Sequence, residues 1–296
     1  MVNATERTSV FDFLVLPGAA IACAGILGLV VGSFLNVVIL RLPARLLHDW
    51  RQQSREMLEL EAETATTPPG LVWESSHCPK CKHKLGLLEN IPLLSWLALR
   101  GRCRHCSAPI SAQYPLVELL TGLCSAAIVW KFGFTLQSGA GLLLTWALIA
   151  LSGIDLRTQL LPDQITLPLL WLGLLSSLIP VFVGSGDSVL GAALGYLSLW
   201  SVYWIFKFAT GKEGMGYGDF KLLGALGAWM GPWALLPTVL LSSLVGAIVG
   251  GIFLVVRGED RSTPIPFGPF IAIAGWIWFL FADPLSGIYR HLFGLT

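Results

Sequence analysis

Two aspartates in this sequence stand beside long apolar runs, where a carboxylate is costly. Asp155 follows the apolar run 137–154, and Asp219 opens the run 219–233. Acids within or next to membrane-spanning runs are candidates for function because their charge is expensive to bury. Two carboxylates that share a proton can act together, since one takes a proton from water while the other protonates a peptide carbonyl oxygen. The pair therefore predicts aspartic-protease chemistry.

Each aspartate also has a purely structural interpretation, which the sequence leaves open. Asp219 would suit the first turn of a helix, where an acid complements the helix dipole, and Asp155 could pair with Arg157. Gly216 and Gly218 favour the catalytic interpretation of Asp219, because glycine allows the backbone to approach a substrate strand closely.

Three further polar residues are predicted to support this site or the fold around it. Asp163 follows Pro162 at an expected helix start, where a carboxylate commonly caps the helix. Glu118 lies inside an apolar run with no basic neighbour in sequence, and we expect it to hydrogen-bond a polar group such as Asn36. For both acids a structural role is the preferred interpretation.

Four cysteines form two C-x-x-C pairs, Cys78 with Cys81 and Cys103 with Cys106, separated by 21 residues. Two such turns can supply the four thiolates of a tetrahedral zinc site. A closed four-thiolate shell has no position for water, so the metal would be structural and would fold a loop too small for its own core. The alternative is two disulfides or a redox role, which a reducing cytoplasm disfavours.

The composition indicates that these groups are carried by a membrane protein. Hydrophobic residues make up 54% of the 296 residues and charged residues only 12%, with a mean hydropathy of +0.71. A soluble domain has about a quarter of its residues charged. The composition therefore excludes a soluble enzyme, a disordered chain and a basic nucleic-acid-binding protein, and it predicts contact with a lipid bilayer and none with nucleic acid.

The elements that must position the aspartates are apolar runs long enough to cross a bilayer as helices. Eight such runs are predicted, which makes the fold an all-α polytopic membrane protein. They cover residues 14–40, 114–131, 137–154, 164–183, 187–207, 219–233, 234–256 and 267–283.

The cations predict the orientation of these helices. The loop 41–111 holds ten of the 19 Lys and Arg residues, and placing it inside puts six more on the same side. Both termini are then outside, and the two aspartates lie at the same cytoplasmic level. The chain is accordingly divided into a first span (1–40), a cytoplasmic loop domain (41–111) and a seven-span membrane domain (112–296). Within the loop, 45–63 is expected to form a surface helix.

Five short motifs follow one another along nearly the whole chain. They are Gly32-Ser33-Phe34-Leu35-Asn36-Val37, the paired C-x-x-C loop, Pro115-Leu116-Val117-Glu118, Asp155 with Leu161-Pro162-Asp163, and Gly216-Tyr217-Gly218-Asp219-Phe220-Lys221. In this order they resemble the type IV prepilin peptidases, the bifunctional leader peptidases and N-methyltransferases of pilus and type II secretion systems. The resemblance implies that Asp155 and Asp219 are the catalytic pair of a GxGD-type aspartic protease.

The resemblance also implies the substrates and the second activity. Members of this bacterial inner-membrane family cut a short basic leader from prepilins and pseudopilins after a glycine. They then methylate the new N-terminal residue with S-adenosylmethionine. The family's methylation-linked Gly-Lys corresponds to Gly101-Arg102 here, and arginine keeps the charge but not the point-charge geometry of lysine. Five acids of the cytoplasmic loop are expected near the leader's basic residues: Glu56, Glu59, Glu61, Glu63 and Glu74.

Without the resemblance, two other classes of protein remain open. A transporter would use Asp155, Asp219 and Glu118 for proton coupling, although transporters often carry inverted repeats and this chain shows none. A membrane-anchored zinc-ribbon scaffold would need the cysteines and tolerate loss of the aspartates.

Overall fold

The computed structural model describes residues 16–60, 67–257 and 265–292, and this part of the chain is helical. Eight longer helices overlap the eight predicted runs, although the first ends later and the one over 164–183 ends earlier than its run, and one short helix lies in the loop after the first. In chain order they are α1 (Pro17–Met57), α2 (Leu94–Ala98), α3 (Gln113–Phe132), α4 (Leu136–Thr158), α5 (Asp163–Ser176), α6 (Ser185–Thr210), α7 (Tyr217–Met230), α8 (Leu235–Arg257) and α9 (Gly268–Leu292).

Five helical segments are long and apolar enough to cross a membrane, which supports the predicted class of fold. They are α1, α3, α4, α6 and the stretch Pro232–Ile252. Helices α5 and α7 have 14 residues each. That is about 21 Å of helix, less than a hydrocarbon core of about 30 Å. The count of eight spans and their orientation therefore stay predictions.

Helix α1 is longer than the sequence indicates. The first span was expected to end at residue 40 and a separate surface helix to cover 45–63, but α1 runs without a break to Met57. Pro43 lies inside it and does not end it. Residues 58–60 were also expected to be helical, but they are not. The rest of the expected helix, with Glu61 and Glu63, lies outside the described residues.

Two arginine side chains bind the C-terminal part of α1 to the loop that follows it. Arg41 donates to the carbonyl oxygens of Gly70 at 2.6 Å and Glu74 at 3.0 Å. Arg45 donates to the carbonyl oxygen of Pro68 at 3.4 Å. These bonds fix the following loop against the helix on both sides of Pro43 in sequence.

The chain forms two compact units, Met1–Trp146 and Ala147–Thr296, a division that leaves the predicted domain boundaries untested. In the first unit, α1 and α3 pack closely through small residues. A Cβ on Gly28 would lie 2.8 Å from the Cα of Gly122, and one on Gly32 would lie 2.7 Å from the Cα of Glu118. The Gly-x-x-x-Gly spacing on α1 is typical of membrane helices whose backbones approach each other.

In the second unit, α7 is the central helix, and ten of its residues are buried. It contacts α5, α6 and α9. Its backbone meets that of α6 where Gly227 faces Gly191, so closely that a Cβ on either glycine would overlap the other's carbonyl. The indole nitrogen of Trp229 donates to the carbonyl oxygen of Leu169 on α5 at 2.8 Å. A helix buried on all sides is apolar all round, which explains why the sequence of α7 reads as a span.

Candidate active site

The structure brings Asp155 and Asp219 to one cavity of about 360 Å³ in the second unit. Asp155 lies in the last turn of α4 and Asp219 in the first turn of α7, and both side chains are buried at 4% and 6% exposure. The lining consists of these two acids with Gln159, Leu161, Glu213, Gly214, Met215, Gly216, Gly218, Ile265, Pro266 and Phe267. Two acids from helices distant in sequence thus line one cavity, and their catalytic role stays a prediction that is taken up below.

A backbone amide positions the Asp155 carboxylate. The N–H of Gly268, the first residue of α9, donates to Asp155 Oδ2 at 3.0 Å. A Cβ on Gly268 would lie 2.7 Å from the same oxygen, so only glycine fits there without a shift. The first N–H groups of a helix have no partner within the helix, which leaves this one available to a carboxylate. The sequence analysis did not identify Gly268. The one local feature that could have indicated it is its position between Phe267 and Pro269 at a helix start.

The two glycines before Asp219 have different surroundings. A Cβ on Gly218 would lie 2.6 Å from the Cβ of Leu161, so this glycine is needed for packing against the loop after α4. A Cβ on Gly216 would meet only the backbone nitrogen of Gly218, at 3.9 Å. Gly216 therefore presents open backbone to the cavity, whereas Gly218 fixes the wall that carries Asp219.

Asp163 does not cap its helix, so that part of the prediction is wrong. It is the first residue of α5, but no side-chain capping bond is formed at the N-cap position, which Pro162 occupies. Instead, Lys221 donates to both carboxylate oxygens of Asp163, at 2.6 and 2.8 Å. The pair ties the start of α5 to α7 two residues after Asp219. Because the side chains are 51% and 28% exposed, the pair contributes less than about 1 kcal/mol.

The four predicted cysteine ligands converge in the first unit. Cys78 Sγ lies 3.8 Å from Cys106 Sγ, Cys81 Sγ lies 3.9 Å from Cys103 Sγ, and all four sulfurs are within 4.8 Å of one another. A disulfide would need about 2.0 Å, so the cysteines are free. Thiolates at 2.3 Å from a tetrahedral ion are about 3.8 Å apart. The donor set thus fits a metal with four thiolate ligands.

Two matching turns present these thiolates. In the first, the N–H of Cys78 donates to His83 O at 2.9 Å, and in the second the N–H of Cys103 donates to Ala108 O at 2.8 Å. The N–H groups of Cys81 and Lys80 also donate to the Cys78 sulfur and lower the pKa of Cys78 to about 6. Such bonds favour the thiolate form that a metal requires.

Curated relatives match almost the full length of the chain. A prepilin leader peptidase/N-methyltransferase of Stutzerimonas stutzeri is 56% identical over 274 residues, covering 92% of this chain and 94% of the relative. Proteins with the same description from Xanthomonas campestris and Pseudomonas aeruginosa are each 55% identical over 279 residues. These two matches cover 94% of this chain, and 97% and 96% of the relatives. The chain belongs to the prepilin leader peptidase/N-methyltransferase family.

Family models match both halves of the chain. The bacterial peptidase A24 N-terminal domain matches residues 26–132, and the type IV leader peptidase family matches residues 142–251. No solved structure gives a significant match. The predictions that the chain resembles this family and is an enzyme are confirmed by these similarities.

The predicted hydrogen bond between Glu118 and Asn36 is not formed, and each side chain has other partners. Asn36 donates to the carbonyl oxygens of Tyr114 at 3.1 Å and Gly32 at 3.2 Å. Glu118 accepts from the backbone N–H of Leu93 at 2.8 Å. Both side chains are buried between α1 and α3, and neither is among the described residues that line the aspartate cavity. Their contacts fit the structural role expected for Glu118.

Gly101 and Arg102 lie just before the second cysteine turn. Gly101 has a φ of +67°, and a Cβ there would lie 2.9 Å from the Trp96 ring. The turn and the close ring therefore explain the glycine without any cofactor. Arg102 is exposed and pairs through its backbone with Pro109. Their link to methylation stays a prediction.

Proposed function

We propose that the chain removes the short basic leader of type IV prepilins and type II secretion pseudopilins by cutting after a glycine. It then N-methylates the new N-terminal residue with S-adenosylmethionine. The observation that supports the peptidase activity best is the presence of Asp155 and Asp219 in one cavity. The curated relatives carry both activities in their description, and their similarity extends over the whole length.

The proposed cleavage uses a water molecule held between the two carboxylates. One aspartate takes a proton from the water as its oxygen attacks the carbonyl carbon, while the other donates a proton to the carbonyl oxygen. The tetrahedral species then breaks its C–N bond, and the amine leaves with a proton returned by the dyad. Gly268 holds the Asp155 carboxylate in place throughout, because its N–H remains bonded to Oδ2.

The cavity wall suits an extended peptide. Gly216 offers open backbone beside Asp219, and Leu161, Ile265 and Phe267 supply apolar surface to the same cavity. A peptide bond reaching the dyad would therefore pass a glycine on one side and apolar side chains on the other. The pilin's own apolar helix would lie among the spans of an enzyme embedded in the bacterial inner membrane, with both termini periplasmic and residues 41–111 cytoplasmic.

The cysteine cluster is proposed to hold one structural zinc through Cys78, Cys81, Cys103 and Cys106. Four thiolates fill the tetrahedral shell, so the ion would stabilise the loop rather than activate water. S-adenosylmethionine would supply the methyl group to the amine of the cleaved pilin. We propose Gly101 and Arg102 as residues that affect this second step.

The peptidase proposal is tested with Asp155→Asn and Asp219→Asn. Both variants are assayed for cleavage of a leader-bearing prepilin in membranes, with products identified by mass spectrometry. Each is expected to slow cleavage by about a thousandfold or more, because neither an amide nor a lone acid can replace the dyad. Asp187→Asn is the matched control, since Asp187 is an exposed acid in the first turn of α6 outside the cavity lining. Near-normal cleavage by both dyad variants would refute the assignment.

A separate measurement addresses methylation. A leader-free pilin is supplied to the same variants, and the methyl gain is followed by mass. We expect both aspartate variants to methylate it, because the dyad acts only on the peptide bond. Loss of methylation together with cleavage would indicate unfolding rather than a catalytic role.

A further inference from the structure

The aspartate cavity contains a third carboxylate, which the proposed cleavage chemistry does not use. Glu213 lines the cavity six residues before Asp219. The remaining lining residues are apolar, glycine or amide, and none of the described ones is Lys, Arg or His. This cavity is therefore acidic at Glu213 as well as at the dyad, and it is suited to a ligand that carries a positive charge close to the scissile bond.

Glu213 is available to such a ligand. Its side chain is 70% exposed, in contrast to the two buried aspartates. It lies in the loop between α6 and α7, so its position can adjust without moving either helix. The bond from Lys207 holds the pKa of Glu213 below its usual range, so the group is charged at neutral pH.

The existing partner of Glu213 can be exchanged. Lys207 Nζ donates to Glu213 Oε1 at 2.8 Å, and it also donates to the Tyr203 hydroxyl at 3.1 Å. The ammonium lies 5.4 and 5.5 Å from the ring centroids of Tyr203 and Trp204. Tyr203 and Trp204 would keep Lys207 in place if Glu213 turned to another cation. Because solvent screens an ion pair this exposed, a second cation can compete for the carboxylate.

We propose that Glu213 is the subsite that binds a basic side chain of the leader and thereby selects basic leaders for cleavage. This inference is based on the proposed peptidase function and assigns a specificity residue to the same cavity. It differs from the expectation that acids of the cytoplasmic loop, such as Glu56, meet the leader. Glu213 shares a cavity with the dyad, whereas the described lining includes none of those loop acids.

A charge exchange between enzyme and substrate tests the proposal. Cleavage rates are measured for the unaltered enzyme, Glu213→Gln and Glu213→Lys, each with a basic-leader prepilin and with one whose leader Lys and Arg residues are changed to Glu. One exposed charge pair corresponds to up to about fivefold in kcat/KM, and reversing the charge adds repulsion of similar size. We therefore expect a loss of up to about fivefold for Glu213→Gln and of up to about 25-fold for Glu213→Lys on the basic leader. Glu213→Lys should prefer the acidic leader.

Glu56→Lys is measured as the variant for the loop acids, and the matched control is Asp187→Lys. Asp187→Lys makes the same charge change at an exposed residue of α6 outside the cavity lining. It should leave both substrates within about twofold of the unaltered enzyme. If the unaltered enzyme cuts the basic leader but Glu213→Lys keeps the same preference, the Glu213 subsite is refuted while the peptidase function stands. A reversal seen with Glu56→Lys instead would also overturn it, in favour of the loop acids. Failure of the unaltered enzyme to cut any prepilin would refute the proposed function itself.

Discussion

The two glycines before Asp219 allow the cavity wall to be tested separately from its surface. In Gly218→Ala the new methyl group would lie 2.6 Å from the Cβ of Leu161. Carbon atoms in contact are normally about 3.5–4.0 Å apart, so either the helix start or the Leu161 loop must move by about 1 Å. Asp219 is the next residue, and it would be displaced with the helix start.

The expected effect on catalysis is larger than that on stability. A shift of about 1 Å in a catalytic group costs about a hundredfold, which corresponds to about 2.7 kcal/mol in the activation barrier. Overpacking costs about 1–3 kcal/mol of unfolding free energy, but alanine regains up to about 1 kcal/mol because it is the better helix former. Gly218→Ala should therefore remain folded and lose kcat by about a hundredfold.

Gly216→Ala is the control for Gly218→Ala. Its methyl group would meet only the Gly218 nitrogen at 3.9 Å, and the backbone there, at φ −84°, suits alanine. We expect kcat within about threefold of the unaltered enzyme and a raised KM, because the methyl group would occupy the face that the peptide approaches. The assay is steady-state cleavage of a detergent-solubilised prepilin, with thermal unfolding as the stability control. Unchanged kcat in Gly218→Ala would refute the reasoning, as would equal kcat losses in both variants.

Two further predictions concern the Asp155 contact and the cysteine cluster. Gly268→Ala should lower kcat tenfold or more, because its methyl group would meet Asp155 Oδ2. The control Gly275→Ala adds the same group to α9 against Leu226 and should lower only the melting temperature. Equal kcat losses in the two variants would refute the positioning role of Gly268. Elemental analysis should find about one zinc per folded chain. The zinc should be lost in Cys78→Ser/Cys81→Ser and kept in the control Cys124→Ser, which changes a cysteine of α3. A metal-free but fully folded enzyme would contradict the metal proposal.

Features that depend on nearby residues could be predicted from the sequence. The run 219–233 marked the position of α7, observed as Tyr217–Met230, because a helix buried on all sides is apolar throughout. The cysteine cluster followed from spacing alone, since each C-x-x-C turn sets its own geometry and the two turns need only meet.

Features that depend on distant packing could not be predicted. Gly268 is far from Asp155 in sequence, and their contact exists only because α9 begins beside the end of α4. Asp163 has the sequence of a cap, but Lys221 of another helix donates to both of its carboxylate oxygens instead. Pro43 would usually end a helix, yet the bonds from Arg41 and Arg45 to the following loop accompany its continuation.

The backbone contact between Gly191 and Gly227 has a consequence for how a substrate reaches the dyad. Two helices whose glycines touch leave no gap for a third chain, so a pilin cannot slip sideways between α6 and α7. Among the described residues, the connecting segments 213–216 and 265–267 border the cavity and offer an approach to it. The tightly packed helices would then hold Asp219 in a fixed position, and the scissile bond would reach the dyad by passing the segments 213–216 and 265–267.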